Sequence, residues 1–585
     1  MTIRNKILLL AILSCSPVGR LSAQDLREDV TVSYQETPEI REYQKISFNP
    51  TLRLTPVSQS PLNYSLRAPQ VESTRRIATM APVAYADSLE TSSYRGYAAL
   101  AFMPKFNMAA SAGYKVLDTD HTRLNAWMQY DASVYSAGKK FYGYDRYLRR
   151  HTATVGADLH QAVGKYSFID VGLDYTFAHY NTPGGLLDPS VDPDQFSPIY
   201  NLRNQNINEL NVSALWTYTH RGIHYGLGAA YQRFAFQSRL GMENADPDDM
   251  RPVSPLRQNR FDVGAYFFGK IAGANSAGVD LRFTALNSGH NFVAVPLPYQ
   301  IEKAPQTNPS VLSIHPYYRF DIRQFRLDLG LNIDLRFNSG SFFAIAPQAS
   351  ATWLPNQFIK LYAKVTGGTH LNTAATLYDI TTYAIPFTSW RPSKIPVEAE
   401  AGFTFGQWRG FFAEIQVGYA ITDNWLMPTS FETAPSSTTF TPIDLKGYHL
   451  GATVGYNWRG IVEARASLEM APHSYHRGYY RWRDRASRVL SAEIRVTPIK
   501  PLDLKIGYEY RGGRRTYIET AVAQPDPEYI NLESVSNLSF GASYRITPRW
   551  SAFLTGENLL NHKSLLVGGI PAQGLTGLIG ASYKF

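Results

Sequence analysis

The chain has 585 residues and a formal net charge of +9, and 13% of its residues are aromatic, with 38 tyrosines and 30 phenylalanines. No composition boundary divides it into several soluble domains, so one large body is the better expectation. After the N-terminus no apolar run reaches the roughly 18 residues that a membrane-spanning helix needs, which excludes such helices.

Residues 1–23 have the layout of a cleaved secretory signal. Arg4 and Lys6 precede an apolar run, and small residues end at Ala23. The alternative is a lipid at Cys15, since the residues before it loosely resemble a lipoprotein attachment site. Cleavage after Ala23 would leave no cysteine, which excludes disulfides. For an exported basic chain, acidic lipid head groups or anionic ligands are better partners than nucleic acid.

Residues 24–93 form the next predicted segment. Prolines recur through it, so we expect a short, extended or irregular periplasmic or lumen segment without a sheet of its own. Close behind the signal, Asp29, Val30, Thr31 and Val32 begin a β-prone stretch.

Residues 94–585 are predicted to be strands. In Phe325–Phe337 apolar residues alternate strictly with Arg, Asp, Asn and Gly, and Val462–Met470 and Leu502–Arg511 repeat the scheme. Charges on the second face favour a wet lumen over a soluble sandwich. We therefore predict an all-β fold, a transmembrane antiparallel β-barrel of about 22 strands, with a large soluble β protein as the alternative.

Short and long connections alternate along the predicted barrel. The short ones lie at 220–222, 321–324, 353–357, 406–410, 457–460, 497–501 and 545–550. The long ones lie at 179–205, 236–258, 287–311, 367–396, 422–446, 471–485 and 512–531. Because outer-membrane barrels have short periplasmic turns, both termini are expected on the periplasmic side. The aromatic residues at that side predict a periplasmic girdle: Trp353, Trp408, Trp458, Trp550 and the terminal Phe585.

Two of the long loops are rich in arginine. Guanidinium groups beside aromatic rings suit bidentate contact with phosphate, so the loops are candidate sites for an anionic ligand or lipopolysaccharide. The alternative is a solvated basic loop. The candidate residues are Arg477, Arg481, Arg483, Arg485, Arg511, Arg514 and Arg515.

The chain end resembles TonB-dependent receptors. The stretch "GENLLNHK", Gly556 to Lys563, followed by a last strand ending in Phe585, resembles their closing hairpin, and "RPSKIPVEAEAGF", Arg391 to Phe403, resembles their mid-barrel entry. Gly574-Leu575 departs from the Gly-Arg of many receptors. The resemblance implies a TonB box at Asp29–Val32, although an ordinary β-prone tail is the favoured interpretation, and it implies a folded plug for which residues 24–93 are too short.

The function expected from this resemblance is uptake of a ligand or nutrient across the outer membrane of a Gram-negative cell. The alternative is a structural or assembly subunit without a plug, with lipoprotein partners, and TonB is a further possible partner. The sequence has no nucleophile elbow and no metal-ligand spacing, so we expect neither an enzyme nor a cofactor. The lumen would have to be filled by residues 24–93, by external loops or by a partner protein.

Overall fold

The structure is a computed structural model of the chain, and it describes most of residues 94–585. The described ranges are 94–103, 107–137, 146–181, 201–241, 253–289, 308–382, 391–431, 434–471, 473–475, 486–517, 529–565 and 572–585. The predicted signal and the segment 24–93 lie outside them. Within these ranges, no helix has the length and apolar character needed to cross a membrane.

The described residues form mainly strands, with one short helix, α1 (Ala374–Ile380). The first half of the strands comprises β1 (Gly96–Met103), β2 (Asn107–Asp118), β3 (Thr122–Ala137), β4 (Arg146–Ala162), β5 (Ser167–Tyr180), β6 (Asn201–His220), β7 (Ile223–Gly241), β8 (Val253–Ala272), β9 (Asn275–Gly289), β10 (Ser310–Ile322), β11 (Phe325–Phe337), β12 (Phe343–Asn356) and β13 (Ile359–His370). The second half comprises β14 (Ser393–Trp408), β15 (Phe411–Phe431), β16 (Ala434–Trp458), β17 (Val462–Met470), β18 (His473–Tyr475), β19 (Arg488–Ile499), β20 (Leu502–Gly512), β21 (Arg515–Tyr517), β22 (Tyr529–Asn531), β23 (Val535–Arg545), β24 (Trp550–Glu557) and β25 (Thr576–Lys584).

These segments build one closed antiparallel barrel of 22 strands, which confirms the predicted fold class. The short β18 continues the pairing of β17 against β16, and β21 and β22 form a separate ribbon beyond β20 and β23. Each remaining strand pairs with its sequence neighbour, and β25 pairs with β1. Closure leaves no unpaired sheet edge, as lipid requires, because unpaired backbone groups cannot hydrogen-bond to hydrocarbon.

The seam between β25 and β1 is closed by the last residue of the chain. The backbone carbonyl of Phe585 accepts hydrogen bonds from the N–H groups of Arg95, at 2.8 Å, and Gly96, at 2.9 Å. The N–H of Phe585 donates to the carbonyl of Gly96 at 3.0 Å. The backbone of Phe585 therefore completes the pairing of β25 with β1.

The two faces of the wall differ as the alternation predicts. On β11 the outward Leu329 and Leu331 are exposed, whereas the inward Asp334 and Arg336 are buried against neighbouring strands. The bounds of β11 and β17 are those expected from their alternating patterns. The exposed apolar face is the surface that hydrocarbon covers, and the inward polar groups line the lumen.

The seven short connections all lie between consecutive strands as expected, and two are two-residue hairpins with positive φ at both central residues. These are Arg221-Gly222, with φ of 50° and 78°, and Arg409-Gly410, with φ of 51° and 87°. Such turns match the twist of paired strands. A Cβ on Gly410 would lie 2.0 Å from the carbonyl oxygen of Asn457, so only glycine fits there.

One long connection differs from its expected form. Within 422–446, the described residues 422–431 and 434–446 continue β15 and β16, paired through Trp425 with Ile443 and through Leu426 with Pro442. The inward Leu426 and Phe440 are buried in a cluster with residues of α1. This cluster gives the inner face of the hairpin a surface to pack against.

Candidate functional site

The lumen wall of β8 and β9 carries a network centred on one buried carboxylate. Asp262 accepts hydrogen bonds from Thr284 Oγ1 at 2.6 Å and from Arg282 Nη2 at 3.2 Å, and its second oxygen lies 2.6 Å from Arg260 Nε. A buried charge is tolerated when it is paired and hydrogen-bonded in this way. The network holds two guanidinium groups at the inner surface of the barrel.

A second group of polar side chains lines the lumen on β13 to β16, and it forms a second polar wall. Tyr362 donates its hydroxyl toward Gln416 Oε1 at 3.3 Å, with Glu414 Oε1 at 3.4 Å, and its ring covers Gly402, where a Cβ would lie 2.3 Å from the ring. On the adjacent strands, His449 Nε2 lies 3.7 Å from Glu400 Oε2. The two walls together make the lumen wettable and give it both signs of charge, so it suits a polar solute.

Residues 371–382, which we call the cap, lie at the external end of the lumen and contact both walls, at Gln258 on β8 and at Ser393 on β14. It follows β13 and contains α1. Thr373 is the N-cap of α1, and its hydroxyl accepts from the N–H of Thr376 at 3.1 Å. The N–H of Ala374, which has no partner within the helix, donates to Gln258 Oε1 on β8 at 2.7 Å. Gln258 on the barrel wall thus supplies a hydrogen-bond acceptor that the first turn of α1 lacks.

The cap is docked by apolar contacts with the inner faces of β5, β7 and β8. The ring of Tyr378 lies 4.6 Å from that of Phe236 and 5.3 Å from that of Phe234, between centroids. Tyr180 donates its hydroxyl to the carbonyl of Thr382. The cluster comprises Ala178, Tyr180, Ile207, Phe234, Phe236, Leu256, Ala374, Leu377, Tyr378, Ile380, Leu426 and Phe440.

Burial has two consequences for the cap. Each fully buried large apolar side chain stabilises the docked state by about 1.5–3 kcal/mol, so Leu377 and Ile380 alone contribute several kcal/mol. Burial, with the neighbouring Tyr180, also raises the pKa of Tyr378 well above its usual range. The phenol therefore stays neutral at physiological pH and the cluster stays apolar.

The base of the cap is fixed to the strands on its own side of the barrel. Asn372 Nδ2 donates to the carbonyl of Arg391 at 2.7 Å and to Ser393 Oγ at 3.1 Å. Ser393 in turn donates to the carbonyl of Asn424 at 2.9 Å. Polar contacts hold the base, whereas mainly apolar contacts hold α1, so undocking of the helix need not disturb its attachment.

The cap was not predicted from the sequence, although a local signal for it exists. Thr373 is followed by apolar residues at Ala374, Leu377 and Tyr378, the spacing of one helical face, in a chain that otherwise alternates with period two. Its partners Gln258, Phe234 and Phe236 lie on other strands and give no local signal. Of the expected lumen fillings, part of an external loop lies against the inner wall of the barrel, and residues 24–93 lie outside the described ranges.

The predicted arginine cluster is only partly described. Arg511 is buried on β20 and paired with Glu509. Arg514 is also buried, and it donates to the backbone carbonyls of Glu533, at 3.1 Å, and Leu565, at 2.6 Å. Arg515 lies on β21, and Arg477, Arg481, Arg483 and Arg485 lie outside the described residues, so anion binding by this group stays a prediction.

The predicted periplasmic girdle residues all lie at strand ends beside short turns. Trp353, Trp408, Trp458 and Trp550 are between 46% and 50% exposed, and Phe585 is 47% exposed. The guanidinium carbon of Arg409 lies 5.2 Å from the ring centroid of Trp408, and that of Arg459 lies 5.9 Å from the ring of Trp458. These positions are the ones expected for the periplasmic aromatic girdle. The girdle itself stays a prediction. The TonB-box candidate Asp29–Val32 lies outside the described residues.

Among the residues that the structure describes, no group of His, Cys, Asp and Glu side chains could hold a metal ion. No protein-family model matches the chain, and no curated protein matches its sequence. Solved structures do match it. The ferripyoverdine receptor of the outer membrane of Pseudomonas aeruginosa is 13% identical with a TM-score of 0.63, over 84% of this chain and 72% of the receptor.

Two further structures give the same result. The siderophore receptor PirA from Acinetobacter baumannii is 11% identical with a TM-score of 0.64, over 84% of this chain and 81% of PirA. The FrpB iron transporter from Neisseria meningitidis is 14% identical with a TM-score of 0.64, over the same shares of the two chains. These neighbours are receptors and transporters, not enzymes. The chain is therefore a multi-pass outer-membrane β-barrel, and its resemblance to TonB-dependent receptors is confirmed as a likeness of fold.

Proposed function

We propose that this barrel takes up a polar ligand or nutrient across the outer membrane. The observation that carries this proposal is that the wettable lumen holds a separately docked segment, α1, at its external end. The ligand would enter when the cap undocks and leave on the periplasmic side.

The solute class to test first follows from the fold neighbours. Their names describe a siderophore receptor, a ferripyoverdine receptor and an iron transporter. Ferric chelates are polar and anionic, and the two lumen guanidinium groups beside Asp262 suit such a solute. The test is uptake of radiolabelled ferric chelates by cells that express the chain but lack other receptors for them. Uptake that depends on expression supports the proposal.

Residues 24–93 are proposed as the periplasmic or lumen segment, after a signal at 1–23 and before the barrel at 94–585. If Asp29–Val32 is a TonB box, its deletion should abolish uptake without lowering the amount of barrel in the membrane. Unchanged uptake would mean passive entry. Planar-bilayer conductance with and without residues 24–93 then shows whether this segment fills the lumen.

The same measurements bear on the alternative, a structural or assembly subunit with lipoprotein partners. A barrel that stays closed with and without residues 24–93, transports none of the chelates and co-purifies with a lipoprotein would replace uptake as the function.

A further inference from the structure

Ten short turns join consecutive strands at the end of the barrel that holds residues 94 and 585, which we call the short-turn end. Seven of these turns carry a Lys or Arg, and all seven side chains are exposed. We call these residues the basic ring: Lys165, Arg221, Arg323, Arg409, Arg459, Lys500 and Arg549. Within the ten turns, all of them described, the one carboxylate is Asp120. The short-turn end therefore has an excess of positive charge.

The carboxylates at the adjoining strand ends do not neutralise the basic ring, because other groups contact them. Four form close pairs with residues of the strands: Asp118 with Lys115, Asp170 with His160, Asp321 with Arg326 and Asp503 with Arg495. A fifth, Glu463, accepts a hydrogen bond from Asn457 Nδ2 at 3.0 Å. Among the described residues, no cation of the basic ring forms an ion pair with a carboxylate.

Four arginines of the basic ring have a backbone conformation that does not favour arginine. Their φ angles are 50° at Arg221, 49° at Arg323, 51° at Arg409 and 52° at Arg459. Asparagine, aspartate and glycine are the usual residues at such a φ in a hairpin turn. Since asparagine would suit these four turns better, the repeated arginine indicates that the charge of the side chain has a role.

A stretch of opposite charge occurs in the same chain. Residues 25–42 contain six carboxylates and two arginines, whereas residues 43–93 contain three carboxylates and five Lys or Arg. The six carboxylates are Asp25, Glu28, Asp29, Glu36, Glu39 and Glu42. This acidic stretch lies outside the described residues, and its charge complements that of the basic ring.

The chain enters the barrel at the same end as the basic ring. The N–H of Arg95, directly before β1, donates to the carbonyl of Phe585 at 2.8 Å, which places residue 94 at the short-turn end. The chain from residue 42 to residue 94 can span up to about 170 Å. Twenty-two strands about 4.8 Å apart and tilted by about 45° give a barrel about 50 Å wide. The acidic stretch can therefore reach every turn of the ring.

We propose that residues 25–42 dock on the basic ring at the short-turn end of the barrel. Carboxylates of the stretch contact the guanidinium and ammonium groups of the turns. Exposed ion pairs are individually weak, but several of them act together here, and the covalent tether keeps the stretch at a high local concentration. The contact does not depend on the proposed uptake, since it involves no solute and lies at the opposite end of the lumen from the cap.

The test is electron paramagnetic resonance of the full chain in detergent, with a nitroxide on Ser33→Cys in a Cys15→Ser background. The ring variant is Arg221→Asn, Arg409→Asn and Arg459→Asn, which removes three charges and places asparagine where φ is positive. The matched control makes the same change at three exposed arginines near the external ends of β4, β8 and β19: Arg149→Asn, Arg257→Asn and Arg488→Asn.

We expect an immobilised component in the spectrum of the labelled parent and of the control at low salt. In the ring variant, the ratio of immobilised to mobile label should fall at least roughly threefold, since three cations are lost. In 1 M salt the Debye length is about 3 Å, so the immobilised component should disappear from all three proteins.

An equal ratio in the ring variant and the parent would overturn the proposal, as would an immobilised component that persists in 1 M salt. Loss of phosphatidylglycerol binding in the ring variant without a change of the label would assign the ring to lipid and would also overturn it. Heat-modifiable migration in gels checks that each variant is folded. Should the ring variant fail to fold, Asp29→Lys with Glu36→Lys and Glu39→Lys gives the same comparison on an unchanged barrel, and an unchanged ratio there would count against the proposal.

Discussion

The Cα of Gly96 faces the ring of Phe585 so closely that a Cβ at residue 96 would lie 2.6 Å from the ring atoms Cε2 and Cζ. The same ring stacks on Tyr114 of β2, with centroids 6.1 Å apart. The last residue thus contacts the first two strands of the barrel. A Cβ at position 96 would therefore force the Phe585 ring to shift at the seam.

The first prediction concerns this seam. Gly96→Ala should lower the free energy of unfolding by about 1–3 kcal/mol, because the new methyl group overpacks the Phe585 ring. Gly541→Ala is the control, since a Cβ there meets only Lys505 Cβ at 3.6 Å, an ordinary contact. Urea unfolding in detergent, followed by gel migration without heating, measures both. Equal stability of the two variants would show that the ring contact does not limit closure.

The second prediction concerns the docking of the cap. Tyr378→Ala removes the ring that contacts Phe234 and Phe236, which should destabilise the docked cap by about 3–5 kcal/mol. The fraction of time that the mouth is open should then rise at least a hundredfold. Single-channel recording in planar bilayers measures this fraction. Tyr448→Ala on the lipid-facing surface is the control and should leave it unchanged.

The third prediction concerns the start of α1. Gln258→Leu leaves the N–H of Ala374 buried without its wall partner, which should cost about 1–3 kcal/mol of docking. Thr373→Ala removes the N-cap and should cost about 0.5–2 kcal/mol. Hydrogen exchange of the α1 amides measures both effects. If exchange in α1 were as slow in Gln258→Leu as in wild type, the wall contact would not hold the helix.

The fourth prediction concerns charge in the lumen. Asp262→Asn leaves Arg260 and Arg282 without their carboxylate, so the lumen becomes more positive. In the Tyr378→Ala background, the open channel should shift toward anion selectivity, seen as a change in reversal potential across a salt gradient. Asp118→Asn, at an exposed periplasmic turn, should have a much smaller effect. A reversal potential unmoved by Asp262→Asn would place this network away from the ion path.

The sequence predicts the barrel well because the signal is local. Alternation with period two fixes which side of β11 faces lipid, and the bilayer fixes the strand length, so the bounds Phe325–Phe337 follow without tertiary information. Pairing of the last strand with the first follows from the need to leave no edge in lipid.

The cap could not be predicted in the same way. Ala374 and Gln258 are 116 residues apart, and their contact depends on the strand register and on the path of a loop. Phe234 and Phe236 face the lumen, where the pattern favours polar residues, so they break the local rule.

The most direct test of the account is reversible tethering of the cap to the wall. Ala374→Cys and Gln258→Cys, in a Cys15→Ser background, can be joined by a short bifunctional thiol reagent with a cleavable centre. With the tether intact, planar bilayers containing the full chain should show no opening of the external mouth, and cleavage should restore the openings of the untethered double variant. Openings of the same size and frequency before and after cleavage would contradict the claim that solutes enter this barrel by displacing α1.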